Sequence, residues 1–288
     1  MPNGIIIIDK PSDWTSMDVC AKIRGILREK RVGHGGTLDP MATGVLPVFV
    51  GQATRAVEYS ENSRKEYVAG LRLGLVTNTQ DTSGEMLESH PVAISRADVE
   101  QAMSAFVGDI QQIPPMFSAI KINGQKLYDL ARKGQEVERK PRSITIYELE
   151  LLEQMNETDY LIRCVCSKGT YIRTLCHDIG RRLGCGGTMY SLRRTMAAGY
   201  TLAQAVTLED VQSRGEEVLL PTDSIFAQHP PLQLKSAKQE KRVRNGNTFT
   251  DASVPNGTYR VYGQDGTFLC LSRAEDGILT SIKNFFGA

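Results

Sequence analysis

The apolar positions of the chain follow two periods, and together they predict an α+β fold. Continuous apolar runs or alternation with a period of two predict strands. Such segments occupy residues 4–8, 45–50, 67–73, 144–152 and 160–166. Between them lie segments in which apolar residues recur at the spacing of a helix face. The pattern alone therefore predicts strands with interspersed helices, which is the α+β class.

Several of the predicted helices carry a start signal. The pairs Thr15/Asp18, Ser95/Asp98 and Thr207/Asp210 have the spacing of a capping box, in which two side chains bond to the orphan N–H groups of the first turn. The first of these helices is expected to bury Val19, Cys20, Ile23, Ile26 and Leu27, and the second Val99, Ala102, Met103, Phe106 and Val107. A further helical stripe follows a Gly-Thr turn and comprises Ile172, Leu175, Cys176, Ile179 and Leu183.

Two segments do not follow this pattern of strands and interspersed helices. Residues 111–142 are rich in proline, glycine and basic residues around one short helix near 127–131, and we interpret them as a surface insertion. After residue 230 short strands at 258–262, 267–272 and 278–282 are divided by Gly and Asn. We therefore expect a large domain over residues 1–227 and a small β-rich domain over 228–288.

Composition narrows the class of protein. The 288 residues are 41% hydrophobic and 23% charged, as in ordinary globular proteins. No apolar run reaches the length of a membrane span. The N-terminus has the pattern of a buried strand and lacks the basic start of a signal peptide. We therefore expect a cytoplasmic protein with no membrane partner.

The six cysteines favour buried thiols over a metal centre. A cytosolic chain is not expected to rely on disulfides. Cys164 and Cys166 are separated by a single residue and share one face of a predicted strand. Structural zinc sites usually pair their ligands at longer spacings, so the zinc reading of Cys164, Cys166, Cys176, His177 and Cys185 is the less favoured one.

The net charge of +1 hides three basic stretches. Residues 22–31 contain five basic residues against one acidic residue, residues 121–142 seven against three, and residues 163–194 seven against one. Charged runs are usually solvated faces, but several of them beside candidate chemistry favour a phosphate backbone as partner.

The candidate chemistry centres on residues 33–44, where four glycines surround His34 and Asp39. Glycine allows the backbone to approach a ligand closely, and Pro40 biases Asp39 away from helical angles. A simple turn is the alternative interpretation. The segment lacks both the Gly-Lys-Ser/Thr ending of a phosphate-binding loop and the third glycine of a dinucleotide fingerprint, which argues against a nucleotide-dependent enzyme.

This segment resembles the catalytic motif of the TruB family of pseudouridine synthases, which isomerise uridine 55 in the T-loop of tRNA. Residues 10–16 resemble the family's Lys-Pro-x-Gly-x-Thr-Ser element, residues 64–67 its Lys-x-Tyr element, and residues 167–175 its Gly-Thr-Tyr-Ile-Arg element. The similarity extends in order from residue 4 to about 225. One residue departs from the pattern, because Asp13 stands where the family usually has glycine, which puts the local turn in question.

The resemblance implies a catalytic domain around an antiparallel-rich sheet, followed by a PUA-like RNA-binding domain. It implies that Asp39 is the nucleophile, attacking either the base or the sugar carbon, and that Arg173 keeps Asp39 ionised. From the helical stripe alone, Arg173 can point to solvent or to a cleft.

For the remaining site residues the resemblance implies roles around a flipped-out uridine. Tyr67 would stack on the base, Tyr171 and Leu192 would line its pocket, and His34 would contact the RNA. Lys10 and Pro11 would shape the floor beneath the Asp39 loop. Tyr67 as a strand tyrosine and Leu192 as a core leucine are the structural alternatives.

The partner implied by the resemblance is the T-arm of tRNA, with the basic insertion as a clamp on it. No cofactor or metal is implied, because isomerisation needs neither a redox change nor an external group. We expect a monomer without an obligatory protein partner. The alternative function is a tRNA-binding or tRNA-folding protein without catalysis.

Overall fold

Strands and helices follow one another along the chain, as the apolar pattern predicts. The computed structural model describes residues 1–118, 120–122 and 124–286. Its strands are β1 (Gly4–Lys10), β2 (Val32–His34), β3 (Thr43–Val50), β4 (Lys65–Leu73), β5 (Leu75–Thr77), β6 (Met86–Ser89), β7 (Gly108–Gln112), β8 (Lys121–Ile122), β9 (Gln125–Lys126), β10 (Arg142–Gln154), β11 (Asp159–Cys166), β12 (Gly187–Ala197), β13 (Tyr200–Thr201), β14 (Pro231–Gln233), β15 (Phe249–Thr250), β16 (Gly257–Tyr262), β17 (Phe268–Glu275) and β18 (Ile278–Asn284). Its α-helices are α1 (Ser16–Leu27), α2 (Val57–Glu61), α3 (Arg96–Ser104), α4 (Leu127–Ala131), α5 (Ile172–Arg182), α6 (Leu208–Arg214) and α7 (Ala237–Arg244).

A large mixed sheet carries the N-terminal part of the chain. Its strands lie in the order β1-β3-β12-β4-β11-β10-β7, with β2 beside β3 and β13 beside β12. β3 and β12 pair in parallel, whereas the other neighbours along this order pair antiparallel. The α+β class with an antiparallel-rich sheet is therefore confirmed. The central strand β12 is one that the apolar pattern did not predict.

The isoleucine run of β1 is buried on both faces of this sheet. Ile6 and Ile8 join the main core on one face, while Ile5 and Ile7 join a second core on the other. A strand covered on both faces loses the usual alternation of polar and apolar residues. This double burial explains why β1 reads as a continuous apolar run.

The three capping boxes are confirmed at α1, α3 and α6. In each helix the cap hydroxyl accepts from the third backbone N–H, and the third residue's carboxylate accepts from the cap backbone. The predicted stripe of α5 is confirmed for Ile172, Leu175, Cys176 and Ile179, whereas Leu183 follows the end of the helix and is only partly buried. The second helix is shorter than predicted, because α3 ends at Ser104 and leaves Val107 exposed.

The basic insertion contains the short helix that the sequence predicts, now α4, beside the hairpin β8-β9. A small apolar cluster of Met116, Leu127 and Leu130 holds it together. Residues 119 and 123 of this segment lie outside the described residues. The insertion thus has a core of its own at the edge of the main sheet.

Residues 231–286 form a second sheet with the order β14-β16-β17-β18-β15, which confirms a small β-rich C-terminal domain. The domain also contains α7, a helix that the pattern did not predict, which carries the basic residues Lys238, Lys241, Arg242 and Arg244. The domain packs on the main one through Phe226, Phe268 and Phe285, whose rings meet at centroid distances of 5.2–6.1 Å. Residues 287 and 288 lie outside the described part.

Among the described residues, no helix has the length and apolarity that crossing a membrane requires.

Candidate active site

Asp39 lies in the loop between β2 and β3. Hydrogen bonds of the residues on either side of it, Leu38 and Pro40, fix its position in the loop. Ser16 at the start of α1 accepts from the Leu38 N–H at 2.9 Å and lies 3.3 Å from the Leu38 carbonyl. On the other side the Asp13 N–H donates to the Pro40 carbonyl at 2.8 Å. Asp13 makes this contact with a φ of 65°, a conformation that glycine, Asn and Asp adopt most readily. The departure from the family's glycine therefore preserves the turn.

Lys10 lies under this loop with its side chain fully buried. Its ammonium group donates to the carbonyls of Trp14 at 2.7 Å, Pro11 at 2.8 Å and Pro40 at 3.0 Å. Burial lowers the pKa of Lys10 to about 8, against the opposing charges of Asp13 and Asp39. Lys10 thus ties the first strand to the residue that follows Asp39. Pro11 contributes only its carbonyl in this arrangement, because its ring is exposed.

Arg173, in the first turn of α5, points into the cleft toward Asp39. Of the two orientations that the helical stripe left open, the structure has the one toward the cleft, since the side chain is only 7% exposed. Its Nη2 donates to Asp39 Oδ1 at 3.1 Å and to the Phe117 carbonyl at 2.9 Å. The second contact joins the base of the insertion directly to the site.

Asp81 lies in the same group as Asp39 and Arg173, and it was not predicted from the sequence. It lies in the turn between β5 and β6, and its Oδ2 is 3.7 Å from Arg173 Nη1. Its other oxygen accepts from Thr79 Oγ1 at 2.8 Å and from the Ser83 N–H at 3.0 Å. A turn rich in Thr, Asn, Ser and Gly around one carboxylate was the available signal, but such turns are common.

The charges around Asp39 act against one another. Burial raises the pKa of Asp39, the Arg173 guanidinium lowers it, the Asp81 carboxylate raises it and Lys10 lowers it, with a net upward shift. Asp39 remains one-third exposed at its side chain. A carboxylate that is open to the cleft and held by one arginine can act as a nucleophile or as a proton acceptor.

Tyr67 lies on β4 and is buried at the centre of the sheet. Burial raises the pKa of its hydroxyl to about 12, although the Arg194 guanidinium beside it acts in the opposite direction. Arg194 is its cross-strand neighbour on β12 and is fully buried. Arg194 was also missed from the sequence. Lys65 is the first residue of β4. It is buried, and its ammonium group donates to the carbonyls of Glu61 at 2.9 Å and Ser63 at 3.0 Å.

The remaining predicted site residues lie near either Arg173 or Arg194. Tyr171 caps α5, and burial raises the pKa of its hydroxyl while the charges of Arg173 and Asp39 also act on it. His34 ends β2, where burial and the charge of Arg194 lower its pKa. Leu192 is buried on β12, two residues before Arg194, so the two side chains share a face of the sheet.

The six cysteines are free and buried, as predicted. Cys164 lies opposite Tyr67 in the pairing of β11 with β4, within the sheet core. In the part of the chain that the structure describes, no group of three or more His, Cys, Asp or Glu residues could hold a metal ion.

The chain matches two family models. The model of the TruB family pseudouridylate synthase N-terminal domain matches residues 24–172, and that of the tRNA pseudouridylate synthase B C-terminal domain matches residues 173–227. The chain is 40% identical to tRNA pseudouridine synthase B of Clostridium kluyveri, with 98% of this chain and 99% of that protein covered. It is 45% identical to the protein of the same name from Pseudomonas fluorescens, with 96% and 93% covered.

Solved structures extend the likeness to the fold. A chain from the crystal structure of a Cbf5–Nop10–Gar1 complex superposes with a TM-score of 0.74 at 27% identity, covering 99% of this chain and 85% of that chain. Together, the mixed sheet, the glycine loop with its carboxylate and these similarities define the class of protein, a pseudouridine synthase. Within that class the chain belongs to the TruB family.

Proposed function

We propose that this chain converts uridine 55 in the T-loop of tRNA to pseudouridine, with Asp39 as the nucleophile. The observation that carries the proposal is the pairing of Asp39 with the buried Arg173 at 3.1 Å, in a loop open to the cleft. The relatives named above support tRNA as the substrate, since their names specify tRNA. The position in the T-loop is what the family resemblance adds.

The reaction is an isomerisation, so its atoms balance without a cofactor. The bond from the sugar C1′ to N1 of uracil breaks, the base turns, and a bond from C1′ to C5 forms while the C5 proton is lost and N1 gains one. Asp39 as nucleophile holds either the base or the sugar carbon during the turn. Arg173 opposes the effect of burial and keeps the carboxylate available in its ionised form.

The target base must leave the RNA stack before any group can reach it. In this proposal Tyr67 provides the flat surface on which the extruded uracil stacks, which is worth about 1–3 kcal/mol per base. Tyr171 and Leu192 line the pocket, and His34 contacts the RNA at its mouth. Lys10, with Pro11, supports the loop from below.

The decisive experiment compares the wild-type chain with Asp39→Asn on a T-arm RNA. We expect the variant to bind the RNA with unchanged affinity and to form no pseudouridine, read out by carbodiimide-primed reverse transcription. Asp178→Asn is the matched control, because burial also raises the pKa of Asp178, while among the described residues no hydrogen bond or ion pair joins it to a predicted site residue. Equal product from wild type and Asp39→Asn would contradict the catalytic assignment.

The position of the modification has its own test. A T-arm with cytidine in place of uridine 55 retains the other uridines of the arm. We expect no pseudouridine in this RNA. Pseudouridine at another uridine of the same arm would leave the enzyme class intact and overturn the assignment to position 55.

The basic insertion is the proposed clamp on the T-arm. Its face carries a groove of about 520 Å³ lined mainly by Lys121, Lys126, Arg132 and Lys133. Deleting the insertion would also remove the Phe117 carbonyl from Arg173, so neutralising its lysines is the cleaner change. Substituting these three lysines by Gln should weaken RNA binding and reduce its dependence on salt concentration, with little change in melting temperature. A loss of binding that merely parallels a loss of stability would contradict the clamp.

We further propose that the chain acts as a cytoplasmic monomer, with residues 1–227 as the catalytic domain and residues 228–288 as a PUA-like domain that contacts RNA. The separate sheet and core of residues 231–286 support this division. Sedimentation of the free chain and of its RNA complex measures the stoichiometry, for which we expect one protein per RNA.

A further inference from the structure

Arg194 is a buried cation that the proposed chemistry leaves without a role. Its side chain is fully buried in the middle of the main sheet. Nε donates to the Val45 carbonyl at 2.7 Å, Nη2 to the Gly36 carbonyl at 3.1 Å and Nη1 to the Thr37 carbonyl at 3.5 Å. Among the described residues these acceptors are backbone carbonyls, and no carboxylate pairs with Arg194. A buried charge held in this way is costly, so a specific benefit is expected from it.

The carbonyl acceptors show where that benefit lies. Gly36 and Thr37 belong to the loop that carries Asp39, and Val45 is on the strand that follows it. The guanidinium therefore bonds to the chain on both sides of Asp39. Because a guanidinium is a rigid planar fork, it fixes the direction of each of these contacts.

The backbone of Arg194 holds the end of the same loop. β12 pairs with β3 in parallel, with Arg194 opposite Gly44. A Cβ atom placed on Gly44 would lie 2.2 Å from the Arg194 carbonyl oxygen and 2.9 Å from its nitrogen. The close approach thus requires glycine at residue 44, which also has a φ of 101°. The loop is consequently fixed by the side chain at Gly36 and Thr37 and by the backbone at Gly44.

The same guanidinium also faces Tyr67. The two residues are cross-strand partners of β12 and β4, and the nearby guanidinium lowers the pKa of the Tyr67 hydroxyl against the effect of burial. Arg194 therefore bonds to the loop of Asp39 and lies directly across the sheet from the tyrosine proposed to stack on the base. These two parts of the site come from distant segments of the sequence.

We propose that Arg194 is a positioning residue for the reaction, an inference that rests on the proposed function. Its guanidinium holds the Asp39 loop and the Tyr67 hydroxyl in one fixed relation. The planar fork is required for this, and a positive charge alone is insufficient. Arg194 acts through these two groups and touches no reacting atom.

The test is Arg194→Lys, which keeps the charge and removes the fork. A misplacement of the reacting groups by about 1 Å can lower the rate about a hundredfold, and we expect the single-turnover rate on T-arm RNA to fall at least tenfold. The Kd for the RNA should change less than twofold. Hydrogen exchange of residues 35–44 should accelerate, whereas exchange in the β16-β17 hairpin should not.

Arg72→Lys is the matched control. Arg72 lies on the same sheet and pairs with Asp159 at 2.7 Å, far along β4 from Tyr67. Its substitution should leave both the rate and the exchange of residues 35–44 at their wild-type values. Equal losses in both variants would assign a general structural role to Arg194 and overturn the proposal.

A double-mutant cycle tests the coupling to Tyr67. If Arg194 acts through the tyrosine hydroxyl, Arg194→Lys combined with Tyr67→Phe should cost less than the sum of the two single effects, because neighbouring groups are not additive. Additive losses would overturn the coupling. A wild-type rate in Arg194→Lys would overturn the whole proposal.

Two further measurements keep the proposal testable if Arg194→Lys folds poorly. Assays are run at a temperature at which circular dichroism shows the variant to be folded, and Arg194→Gln, which keeps two amide donors, serves as a second variant. If neither folds, exchange in the wild-type chain decides. Residues 35–44 exchanging as fast as the exposed turn at 264–266 would contradict a fixed loop. A wild-type chain that leaves uridine unconverted would instead contradict the proposed function.

Discussion

Two buried arginines bond to the Asp39 loop, and their surroundings differ. The carboxylate corner (Arg173, Asp39 and Asp81) brings one guanidinium against two acids, at 3.1 and 3.7 Å. The carbonyl floor (Arg194, Lys65 and Lys10) holds three cations by backbone carbonyls. The same kind of cation therefore meets full negative charges in one region and peptide dipoles in the other.

The difference separates two tasks within one site. In the carboxylate corner, each charge changes the ionisation of its neighbours, so this region sets the pKa of Asp39. In the carbonyl floor, the acceptors do not titrate, and each contact fixes the direction of a segment of backbone. We infer that substitutions in the corner will alter pH profiles most strongly, because Lys10 in the floor has a smaller effect on the pKa of Asp39 than Arg173 and Asp81 have. Substitutions in the floor will mainly alter geometry and stability.

The largest effect is expected for Arg173→Met. Removing the guanidinium leaves Asp39 and Asp81 as two carboxylates without a cation between them, and the pKa of Asp39 should rise further. Loss of a preorganised charge of this kind lowers a rate by about 100- to 1,000-fold. The pH–rate profile of single-turnover reactions is the measurement, and its acid limb should move to higher pH.

Arg163→Met is the control for this substitution. Arg163 also pairs with carboxylates, Glu66 at 2.6 Å and Glu148 at 2.7 Å. It lies one residue before Cys164, the partner of Tyr67, and therefore on the opposite face of the sheet. An unchanged acid limb in Arg173→Met, or an equal shift in Arg163→Met, would contradict the role of the carboxylate corner.

A smaller effect, about tenfold in rate for a pKa change of about one unit, is expected for Asp81→Asn. The amide oxygen can keep the contacts with Thr79 and Ser83 but no longer carries a charge. Because the charge of Asp81 raises the pKa of Asp39, its removal should lower that pKa. The acid limb should then move to lower pH, opposite to Arg173→Met.

The carboxylate of Asp159, paired with Arg72 at 2.7 Å, gives the control Asp159→Asn, for which the acid limb should stay in place. A shift of the limb in Asp81→Asn toward higher pH would show that the Asp81 charge does not act on Asp39 as described.

The smallest change in rate is expected for Lys65→Met in the carbonyl floor, where pH should act on stability instead. Burial lowers the pKa of Lys65 to about 8 from 10.5. Between these values the unfolded chain binds more protons at this residue than the folded chain, so the contribution of Lys65 to the free energy of unfolding increases as pH rises. The wild-type chain should gain about 1–3 kcal/mol relative to Lys65→Met across this window.

Urea unfolding of both chains at pH 8 and pH 10 measures this difference. Cys166 is replaced by Ser in both chains, because the charge of Lys65 lowers the pKa of the Cys166 thiol and its titration would otherwise differ between them. The effects of the other buried thiols and of Tyr67 are then common to both chains and cancel in the comparison. A constant difference across the window would show that Lys65 stays charged in the folded chain at high pH.

Much of the local structure was accessible from the sequence because its causes are local. The capping boxes need only a hydroxyl and a carboxylate three residues apart, and they predicted the starts of α1, α3 and α6. The glycines of residues 33–44 marked the loop that carries Asp39. Glycine is required at residue 44 because the close approach to β12 leaves no space for a side chain. The family resemblance added Arg173, whose orientation the helical stripe alone left open.

Other parts depend on tertiary contacts that no local pattern records. β12 lies at the centre of the sheet, yet its pairing with β4 shifts register after Met189 and again after Arg194. These shifts interrupt the alternation of apolar and polar residues with a period of two. In addition, a position in the core is occupied by Arg194, which a hydrophobic pattern counts as polar. Asp81 joins the site only because the turn between β5 and β6 folds against α5.

The turn at Asp13 bears on how far relatives of this chain can diverge. Its φ of 65° admits glycine, Asn or Asp and excludes β-branched side chains. A search pattern that demands glycine there would reject this chain, although the backbone is the one that glycine would adopt. Evolution has to preserve a positive φ at this residue, and more than one residue type can adopt it.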